Sequence, residues 1–260
     1  MESKWIYSWD SPASRMRLFC FPYAGGSATA FSAWPADLPE WITVSAVELP
    51  GRRLRRKEPP ARRMAPLVTA VIDGLGAELR PPYAFFGHSL GALVAFEVAR
   101  ELHHTGRPGP TALFLSGAGA PHLPRTGART SQLPDDAFLA EVRAYGGTHE
   151  ALLADPEILR LFLPTLRADF ELFETYVYEH RPGPALDCPV HLFAGERDER
   201  VDQARVAAWR DLVPTVASAR VLPGGHFFPH DSRARLTAAI AAELAALLPP
   251  GRPSAAPVTP

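Results

Sequence analysis

Cysteine is scarce in this chain: Cys20 and Cys188 are the only two among 260 residues. Two widely separated cysteines exclude the disulfide framework of a small secreted domain. Both lie in or beside predicted strands, where a thiol packs as a small apolar side chain. The sequence also lacks the spacings H-E-x-x-H and C-x-x-C, which are typical of metal sites. We therefore expect no disulfide, no metal and no other cofactor.

Membrane and export signals are also absent from the sequence. No run of about 18 apolar residues occurs, so we expect no transmembrane helix. The N-terminus has no basic patch followed by an apolar block, which argues against a secretory signal and for a cytoplasmic protein. The net charge of −1 provides no overall attraction to nucleic acid or to an anionic membrane.

The sequence does contain enough apolar material for one large globular domain, because 47% of its residues are hydrophobic and 21% are charged. Short apolar runs, typical of buried strands, alternate with segments whose apolar residues recur at helical spacing. This alternation predicts an α/β fold with a mostly parallel central sheet and helices on both faces. The predicted strands are 16–21, 42–49, 83–86, 111–118, 188–195 and 218–222, and the predicted helices include 28–38, 64–80, 201–212 and 233–248.

The alternation stops between residues 121 and 184. This interval of about sixty residues is much longer than an ordinary connection and carries many apolar side chains. A helix is predicted at about 135–145 and a long helical stretch at 158–180. We predict that 121–184 is a helical cap, or lid, over the carboxyl ends of the strands, inserted before the strand at 188–195. The remaining predicted regions are a core of residues 1–120 and 185–249 and a disordered tail at 250–260.

The strand at 83–86 leads into Gly87-His88-Ser89-Leu90-Gly91, after which apolar residues resume at helical spacing. A serine between two glycines at a strand–helix junction is the nucleophile-elbow pattern G-x-S-x-G. The tight turn strains the serine backbone and exposes its hydroxyl at the helix N-terminus, where a developing anion is favoured. Ser89 is therefore the predicted nucleophile. The competing interpretation is a simple helix N-cap.

A serine hydroxyl needs a base within hydrogen-bond reach, and His226 is the predicted base. It follows the last predicted strand directly, after the turn Gly224-Gly225, at the edge where open α/β sheets bind ligands. His230 is the alternative. The remaining histidines belong to the elbow, a helix end, a strand or the predicted cap.

An acid that orients the histidine should follow another strand end, between the serine and the histidine in chain order. The strand at 188–195 is followed by Glu196 and Asp198. Asp198 is the predicted acid because it is shorter and lies just before a helix, and Glu196 is the alternative. Either could instead be a loop carboxylate or a helix N-cap. The order Ser89, Asp198, His226 is that of α/β-hydrolases.

The tetrahedral intermediate of such a reaction needs two hydrogen-bond donors. One is the backbone N–H of Leu90, the residue after the nucleophile. The other should come from a glycine-rich loop after an early strand, and the loop at 22–26 fits. We predict the N–H of Ala24, with that of Tyr23 as the alternative.

With these residues located, the chain resembles the type II thioesterases, the free-standing α/β-hydrolases that accompany polyketide and nonribosomal peptide synthases. The resemblance extends over nearly the whole chain. Its specific parts are the loop AGGSA (24–28), the segment PGR (50–52) and the cap sequence LPTLRADFELFETY (163–176). Tyr23 departs from the family pattern, since many relatives have histidine there. We expect that difference to change the entrance of the site rather than the chemistry.

The resemblance implies an α/β-hydrolase fold with Ser89, Asp198 and His226 as the triad and Ala24 with Leu90 as the oxyanion hole. It implies hydrolysis of acyl thioesters on the phosphopantetheine arm of acyl or peptidyl carrier protein domains. In the family this reaction removes aberrant or stalled acyl groups. No cofactor, nucleic acid or membrane is implied, and we expect a monomer.

Two other functions remain open. A carboxylesterase or lipase-like hydrolase would use the same triad on oxoesters, but the cap sequence and the lack of an export signal argue against it. A hydrolase-fold binding protein without catalysis would usually lack a triad member, and all three are present here.

Residues 52–63 contain seven basic residues and one glutamate, and we expect the whole segment to be exposed. It has two interpretations. The segment could attract an acidic carrier domain or the phosphate of the arm. Alternatively, it is a solvated loop whose arginines form surface ion pairs.

Overall fold

The computed structural model describes residues 3–124, 129–146 and 155–248. A seven-stranded sheet lies at its centre, with the strand order β1-β3-β2-β4-β5-β6-β7. Strand β1 pairs antiparallel with β3, and every other neighbouring pair is parallel. The predicted mostly parallel sheet is confirmed. The strands are β1 Ile6–Trp9, β2 Met16–Phe21, β3 Ile42–Val47, β4 Tyr83–His88, β5 Leu113–Ser116, β6 Val190–Gly195 and β7 Val216–Leu222.

Strand β1 was not among the predicted strands. It is four residues long, partly exposed, and paired on one side only, with β3. A short edge strand of this kind has no continuous apolar run, so the pattern that identifies buried strands does not detect it.

Most helices follow the predicted segments. The helix Asp135–Tyr145 has the predicted bounds, the helix Pro156–Thr175 begins two residues before its predicted start and ends before its predicted end, and the short helix Phe228–Asp231 was not predicted. Helix α1 ends where Gly76 adopts φ +44°, and a 3-10 turn follows. The segment predicted as a helix at 28–38 forms two 3-10 turns, and Pro35 lies within the second of them. Within the described residues, the α-helices are α1 Met64–Leu75, α2 Leu90–His104, α3 Asp135–Tyr145, α4 Pro156–Thr175, α5 Gln203–Ala207, α6 Phe228–Asp231 and α7 Arg233–Leu247.

Two hydrophobic cores lie on opposite faces of the sheet. Along β4, Tyr83 and Phe85 pack with residues of α1 and α2, whereas Phe86 packs on the other face with residues of α7. All three side chains are fully buried, and burying one such ring is worth about 1.5–3 kcal/mol. The continuous apolar run that predicted this strand therefore reflects burial on both faces.

Helices α3 and α4 lie in the connection between β5 and β6 and share a third hydrophobic cluster. Phe138 of α3 and Leu166 and Phe170 of α4 form its centre, and Ala24 packs against it. The cluster holds the two helices against each other and against the glycine-rich loop. The predicted tail at 250–260 and residues 125–128 and 147–154 of the predicted cap lie outside the described residues.

Both cysteines are buried with free thiols, as expected for packing residues. Burial raises the pKa of the Cys188 thiol to about 12, so this thiol is protonated near neutral pH. No helix in the described part of the chain is both long and apolar enough to cross a membrane. Within the same ranges, no group of three or more His, Cys, Asp or Glu side chains is arranged to hold a metal ion.

Candidate active site

Ser89 occupies the turn between β4 and α2, as the elbow pattern predicts. Its φ of +54° lies in the left-handed region, which residues with a Cβ adopt only at a cost of about 1–3 kcal/mol. The N–H of Ser89 donates to the carbonyl of Ser116 at 2.8 Å, and this bond ties the turn to the end of β5. The strained serine is thus held in place by the neighbouring strand.

The two glycines of the elbow are required by close backbone contacts. A Cβ at Gly87 would lie 2.3 Å from the carbonyl oxygen of Gly91, and one at Gly91 would lie 2.1 Å from that of Phe21. Carbon and oxygen do not approach to these distances, and in each case the obstacle is backbone rather than a movable side chain. Only glycine lets the start of α2 lie this close to β4 and to the end of β2.

The imidazole of His226 links Ser89 to Asp198. Its Nε2 lies 3.0 Å from the Ser89 hydroxyl oxygen, and its Nδ1 lies 2.9 Å from Asp198 Oδ2. His226 follows β7 after Gly224, whose φ of +127° is accessible mainly to glycine. The three residues predicted from strand ends are therefore in contact at the carboxyl edge of the sheet.

The carboxylate of Asp198 is held as an anion. Burial raises its pKa, but the His226 imidazole and the backbone N–H groups of Val201 and Arg200 together bring the pKa below its ordinary value. The two N–H groups donate to Oδ1 at 2.9 Å from Arg200 and 3.0 Å from Val201. An ionised Asp198 accepts a hydrogen bond from the Nδ1–H of His226, and this favours the tautomer whose Nε2 is unprotonated and able to accept the Ser89 proton.

The alternative residues lie elsewhere. Glu196 has a side chain 59% exposed and is paired with Arg197 at 3.6 Å. His230 lies on α6, where its ring faces Tyr23 with 5.7 Å between ring centroids. Neither takes the place that Asp198 and His226 occupy beside Ser89.

A cavity of about 820 Å³ opens at these residues. Ser89, His226, Ala24 and Leu90 all line it, so the predicted donors of the oxyanion hole border the same space as the hydroxyl. The other walls are mainly side chains of α3 and α4, together with the loops after β5 and β6. These include Val142, Tyr145, Leu166, Phe170, Phe173 and Val201.

Two aromatic residues beside His226 were not singled out by the sequence. Tyr145, at the end of α3, places its ring 5.9 Å from that of His226 and stacks against the Arg200 guanidinium at 4.2 Å. The ring of His88 lies 5.2 Å from His226. Burial, followed by the neighbouring imidazoles of His226 and His230, lowers the pKa of His88 well below its usual value. His88 is therefore neutral and adds no charge beside the base.

The expectation that residues 52–63 are all exposed is wrong for two arginines. Arg52 is 8% exposed and Arg55 is 3% exposed. Arg55 donates to the Glu48 carbonyl and to the Glu58 carboxylate, and its guanidinium lies 3.5 Å from the ring centroid of Trp5. A buried guanidinium group needs partners of this kind. For Arg55, Glu48 and Trp5 lie outside the basic segment, and Glu58 lies within it.

A second cavity, of about 670 Å³, lies beside the basic segment. Tyr23 lines both cavities. The rim of the second cavity includes Arg53, Arg56 and Arg233, and exposed apolar side chains of α4 form one wall. An anionic group with an apolar extension is complementary to such a surface.

Comparison with known proteins places the chain among thioesterases. A family model described as "Thioesterase domain" matches residues 16–247. The chain is similar to the gramicidin S biosynthesis protein GrsT of Aneurinibacillus migulanus, with 36% identity over 249 residues, covering 95% of this chain and 96% of that protein. It is also similar to thioesterase PikA5 of Streptomyces venezuelae, with 43% identity over 224 residues, covering 85% of this chain and 78% of that protein.

A solved structure gives the same result. The RedJ thioesterase of the prodiginine biosynthetic pathway in Streptomyces coelicolor superposes with a TM-score of 0.83 at 42% identity. The match covers 89% of this chain and 91% of that one.

Proposed function

The chain belongs to the thioesterase domain family, and we propose that it hydrolyses acyl thioesters carried on the phosphopantetheine arm of acyl or peptidyl carrier protein domains. The predicted α/β-hydrolase fold and the predicted class of serine-dependent thioester hydrolase are confirmed by this membership. The proposed role is removal of aberrant or stalled acyl groups during polyketide or nonribosomal peptide biosynthesis. The chain of contacts from Ser89 through His226 to Asp198 carries the proposal.

The proposed reaction begins with formation of an acyl-enzyme. His226 Nε2 takes the proton of the Ser89 hydroxyl while the serine oxygen attacks the thioester carbonyl carbon. The carbonyl oxygen becomes an oxyanion, and the N–H groups of Ala24 and Leu90 stabilise it. The carbon–sulfur bond then breaks, and His226 returns the proton to the departing thiolate of the arm.

A water molecule completes the cycle. His226 takes a proton from the water while the water oxygen attacks the acyl carbon. A second oxyanion then forms at the same two N–H groups. When the bond to Ser89 breaks, His226 protonates the serine oxygen and the free acid leaves. Asp198 stays ionised throughout and stabilises the imidazolium that forms twice in each turnover. No step in this scheme uses a metal or another cofactor.

We propose that residues 121–184 act as the lid of this site. In support, side chains of α3 and α4 form much of the wall of the 820 Å³ cavity, and Leu166 and Phe170 line it with apolar surface. Such a wall would shield the acyl group and the oxyanion from bulk water, which strengthens the hydrogen bonds to the oxyanion.

We propose that the exposed part of the basic segment receives the carrier domain. Arg53 and Arg56 lie at the rim of the 670 Å³ cavity, and Tyr23 borders both that cavity and the one at Ser89. Arg52 and Arg55 are buried and paired, so they are excluded from this role. A solvated loop without a partner is the competing interpretation.

A monomer in the cytoplasm is the proposed state of the protein, with no nucleic acid or membrane as partner. The near-neutral net charge supports the absence of these two partners, because a strongly basic surface would be expected of a protein that binds nucleic acid or an anionic membrane.

The proposed function is tested by labelling and by comparison of substrates. A fluorophosphonate should form a single adduct, and peptide mapping should locate it at Ser89. Turnover should be faster with an acyl-carrier protein than with the matching acyl-CoA, and slowest with a nitrophenyl ester of the same acid. No adduct at Ser89 would exclude the mechanism. A preference for the nitrophenyl ester would assign the chain to the carboxylesterases instead.

A further inference from the structure

Three parts of the chain that are distant in sequence meet at the glycine-rich loop. They are the loop itself at Gly25-Gly26, Arg52 of the basic segment and Asp169 of α4. Asp169 is 1% exposed and Arg52 is 8% exposed, so their charges are buried together, with 2.7 Å between Arg52 Nη2 and Asp169 Oδ1.

The two side chains also bind the backbone of the loop. The N–H of Gly25 donates to Asp169 Oδ2 at 2.7 Å, and Arg52 Nη1 donates to the carbonyl of Gly26 at 2.7 Å. Each charged group therefore makes one bond to its partner and one bond to the loop. Bonds of this type, between an ionised group and a peptide, are short and directional.

The loop geometry that they hold determines where the N–H of Ala24 points. Gly26 donates its N–H to the carbonyl of Tyr23 at 2.8 Å, so this carbonyl faces the inside of the turn. The Tyr23 carbonyl and the Ala24 N–H belong to one planar trans peptide and point in opposite directions. The Ala24 N–H therefore faces away from the inside of the turn, and Ala24 lines the cavity that Ser89 also lines.

Helix α4 supports the loop from the same side. Gly25 has φ +74°, and a Cβ there would lie 2.7 Å from Leu166 Cδ1 and 2.8 Å from Phe162 Cζ. The loop is thus pressed against α4 with no room for a side chain. Any shift of this part of α4 would change the position of Gly25 through both the packing and the hydrogen bond from Gly25 to Asp169.

A buried ion pair is a poor means of gaining stability, because desolvation of the two charges offsets their attraction. Two apolar side chains could fill the same space, but they could not hold an N–H and a carbonyl in fixed directions. The arrangement is therefore better explained by the geometry it imposes on the loop.

We propose that Arg52 and Asp169 are positioning residues for the oxyanion hole, holding the turn Tyr23–Gly26 so that the Ala24 N–H meets the oxyanion. This inference rests on the proposed hydrolysis through an acyl-enzyme at Ser89. It also assigns a function to α4 beyond enclosing the substrate, because the helix supplies one of the two side chains that shape the hole.

The test compares Asp169→Asn and Arg52→Lys with the wild-type chain. Asparagine removes the charge that binds both Arg52 and Gly25, whereas lysine keeps a cation for Asp169 but cannot also reach the Gly26 carbonyl as a planar guanidinium does. We expect kcat per fluorophosphonate-labelled site to fall about 10- to 100-fold for Asp169→Asn and about tenfold for Arg52→Lys, with KM changed less than about threefold.

An inhibitor that forms an oxyanion separates positioning from folding. A trifluoromethyl ketone analogue of the acyl group adds Ser89 to its carbonyl, so its Ki depends on the oxyanion hole. We expect Ki to rise by the same factor as kcat/KM falls in each variant. A merely structural role would lower the number of labelled sites and leave kcat per site and Ki unchanged.

Thr165→Val is the matched control. Thr165 lies one turn before Asp169 on α4 and donates to the carbonyl of Gly51, the residue before Arg52, at 2.8 Å. It therefore joins the same helix to the start of the same segment through a hydrogen bond that does not involve the loop. We expect lower stability and an unchanged Ki for this variant. Should Asp169→Asn fail to fold, Arg52→Lys, which retains the ion pair, decides the question.

The possible failures are distinguishable. If the wild-type chain hydrolyses thioesters and the folded variants keep wild-type kcat per site and Ki, the positioning role is wrong and the proposed function stands. If the wild-type chain neither labels at Ser89 nor turns over any thioester, the proposed function fails and this inference fails with it.

Discussion

The imidazole Nε2 of His226 lies 3.0 Å from the hydroxyl oxygen of Ser89, although 137 positions separate the two residues in the chain. The sheet brings them together. Ser89 follows β4 and His226 follows β7, and both strands run in the same direction and end at the same edge. Asp198 follows β6, which lies next to β7. The site is therefore a direct product of parallel strand order.

Replacement of Ser89 should separate activity from stability. Ser89→Ala and Ser89→Gly both remove the proposed nucleophile, and we expect thioester turnover to fall by at least about 10⁴-fold in each. Glycine also relieves the strain of φ +54°, worth on the order of 1–3 kcal/mol, at a cost of about 0.5–1 kcal/mol in backbone entropy. We expect urea denaturation to find Ser89→Gly about 1 kcal/mol more stable than Ser89→Ala. Equal stabilities would mean that the strain is no larger than this entropy cost of about 0.5–1 kcal/mol.

Replacement of Asp198 should slow catalysis without removing the nucleophile. Asp198→Asn should lower kcat by about 10⁴-fold, because an amide does not hold His226 in the tautomer that accepts the Ser89 proton. The rate at which a fluorophosphonate labels Ser89 measures the loss of serine reactivity directly. Glu196→Gln is the matched control on the same loop, and its kcat should stay within about twofold of wild type.

The pH dependence of stability should also depend on Asp198. Its folded pKa is below the ordinary value, so its carboxylate adds stability that is present above the ordinary pKa of about 3.9 and is lost as pH falls through the folded pKa. Wild type should therefore lose more stability than Asp198→Asn between pH 6 and pH 3. Urea midpoints at the two pH values measure this. If the difference in stability between wild type and Asp198→Asn is the same at pH 6 and pH 3, the lowered pKa of Asp198 is contradicted.

Charge reversal of the exposed arginines tests carrier docking. We expect the double substitution Arg53→Glu and Arg56→Glu to raise KM for an acyl-carrier protein about tenfold. A charge at the edge of an interface acts mainly on the rate at which the two proteins associate. KM for the acyl thioester of a small thiol should not change. The wild-type KM for the carrier should rise with salt, and that of the variant should respond less.

Arg210→Glu is the control for this experiment, because Arg210 is exposed and lines neither cavity. It should leave both KM values unchanged. If the paired reversal alters the two substrates equally, the segment is a solvated loop and the carrier docks elsewhere.

Gly91→Ala should disrupt the elbow. The new Cβ would meet the carbonyl of Phe21 at 2.1 Å, so α2 must move away from the end of β2, at an expected cost of at least about 3 kcal/mol. Gly109→Ala is the control, because a Cβ there would meet only Asp187 Oδ1, at 3.6 Å. Urea denaturation should find the control within about 0.5 kcal/mol of wild type. A similarly small loss for Gly91→Ala would contradict the close approach of α2 to β2.

Most of the sheet was predictable because β2 to β6 are buried on both faces and so appear as continuous apolar runs. Ser89 and Asp198 were predictable because each follows such a run and a glycine, and His226 because it comes directly after Gly224-Gly225 at the end of the last predicted strand. The contact among these three side chains agrees with that prediction, whereas the donor roles of Ala24 and Leu90 stay predictions. Strand β1 was missed because a half-exposed edge strand has a mixed pattern.

The burial of Arg52 and Arg55 could not be predicted from composition. A run of basic residues is usually solvated, and burial depends on partners that only the fold supplies. The acid that pairs with Arg52 is Asp169, 117 positions away. One signal was present: Asp169 lies between Leu166, Phe170 and Phe173 on the apolar face of a helix, and a carboxylate buried there requires a cationic partner.

The connection from β5 to β6 has a consequence for how this protein can evolve. The two strands are neighbours in the sheet, and their register does not depend on the length of the chain that joins them. Insertions and substitutions there can alter the range of acyl groups accepted while the sheet folds as before. Exposed positions in the first half of α4, such as Ile158 and Leu161, are freer to diverge than Asp169 in the second half. A lineage that lost Asp169 would have to find another way to shape the loop at Gly25.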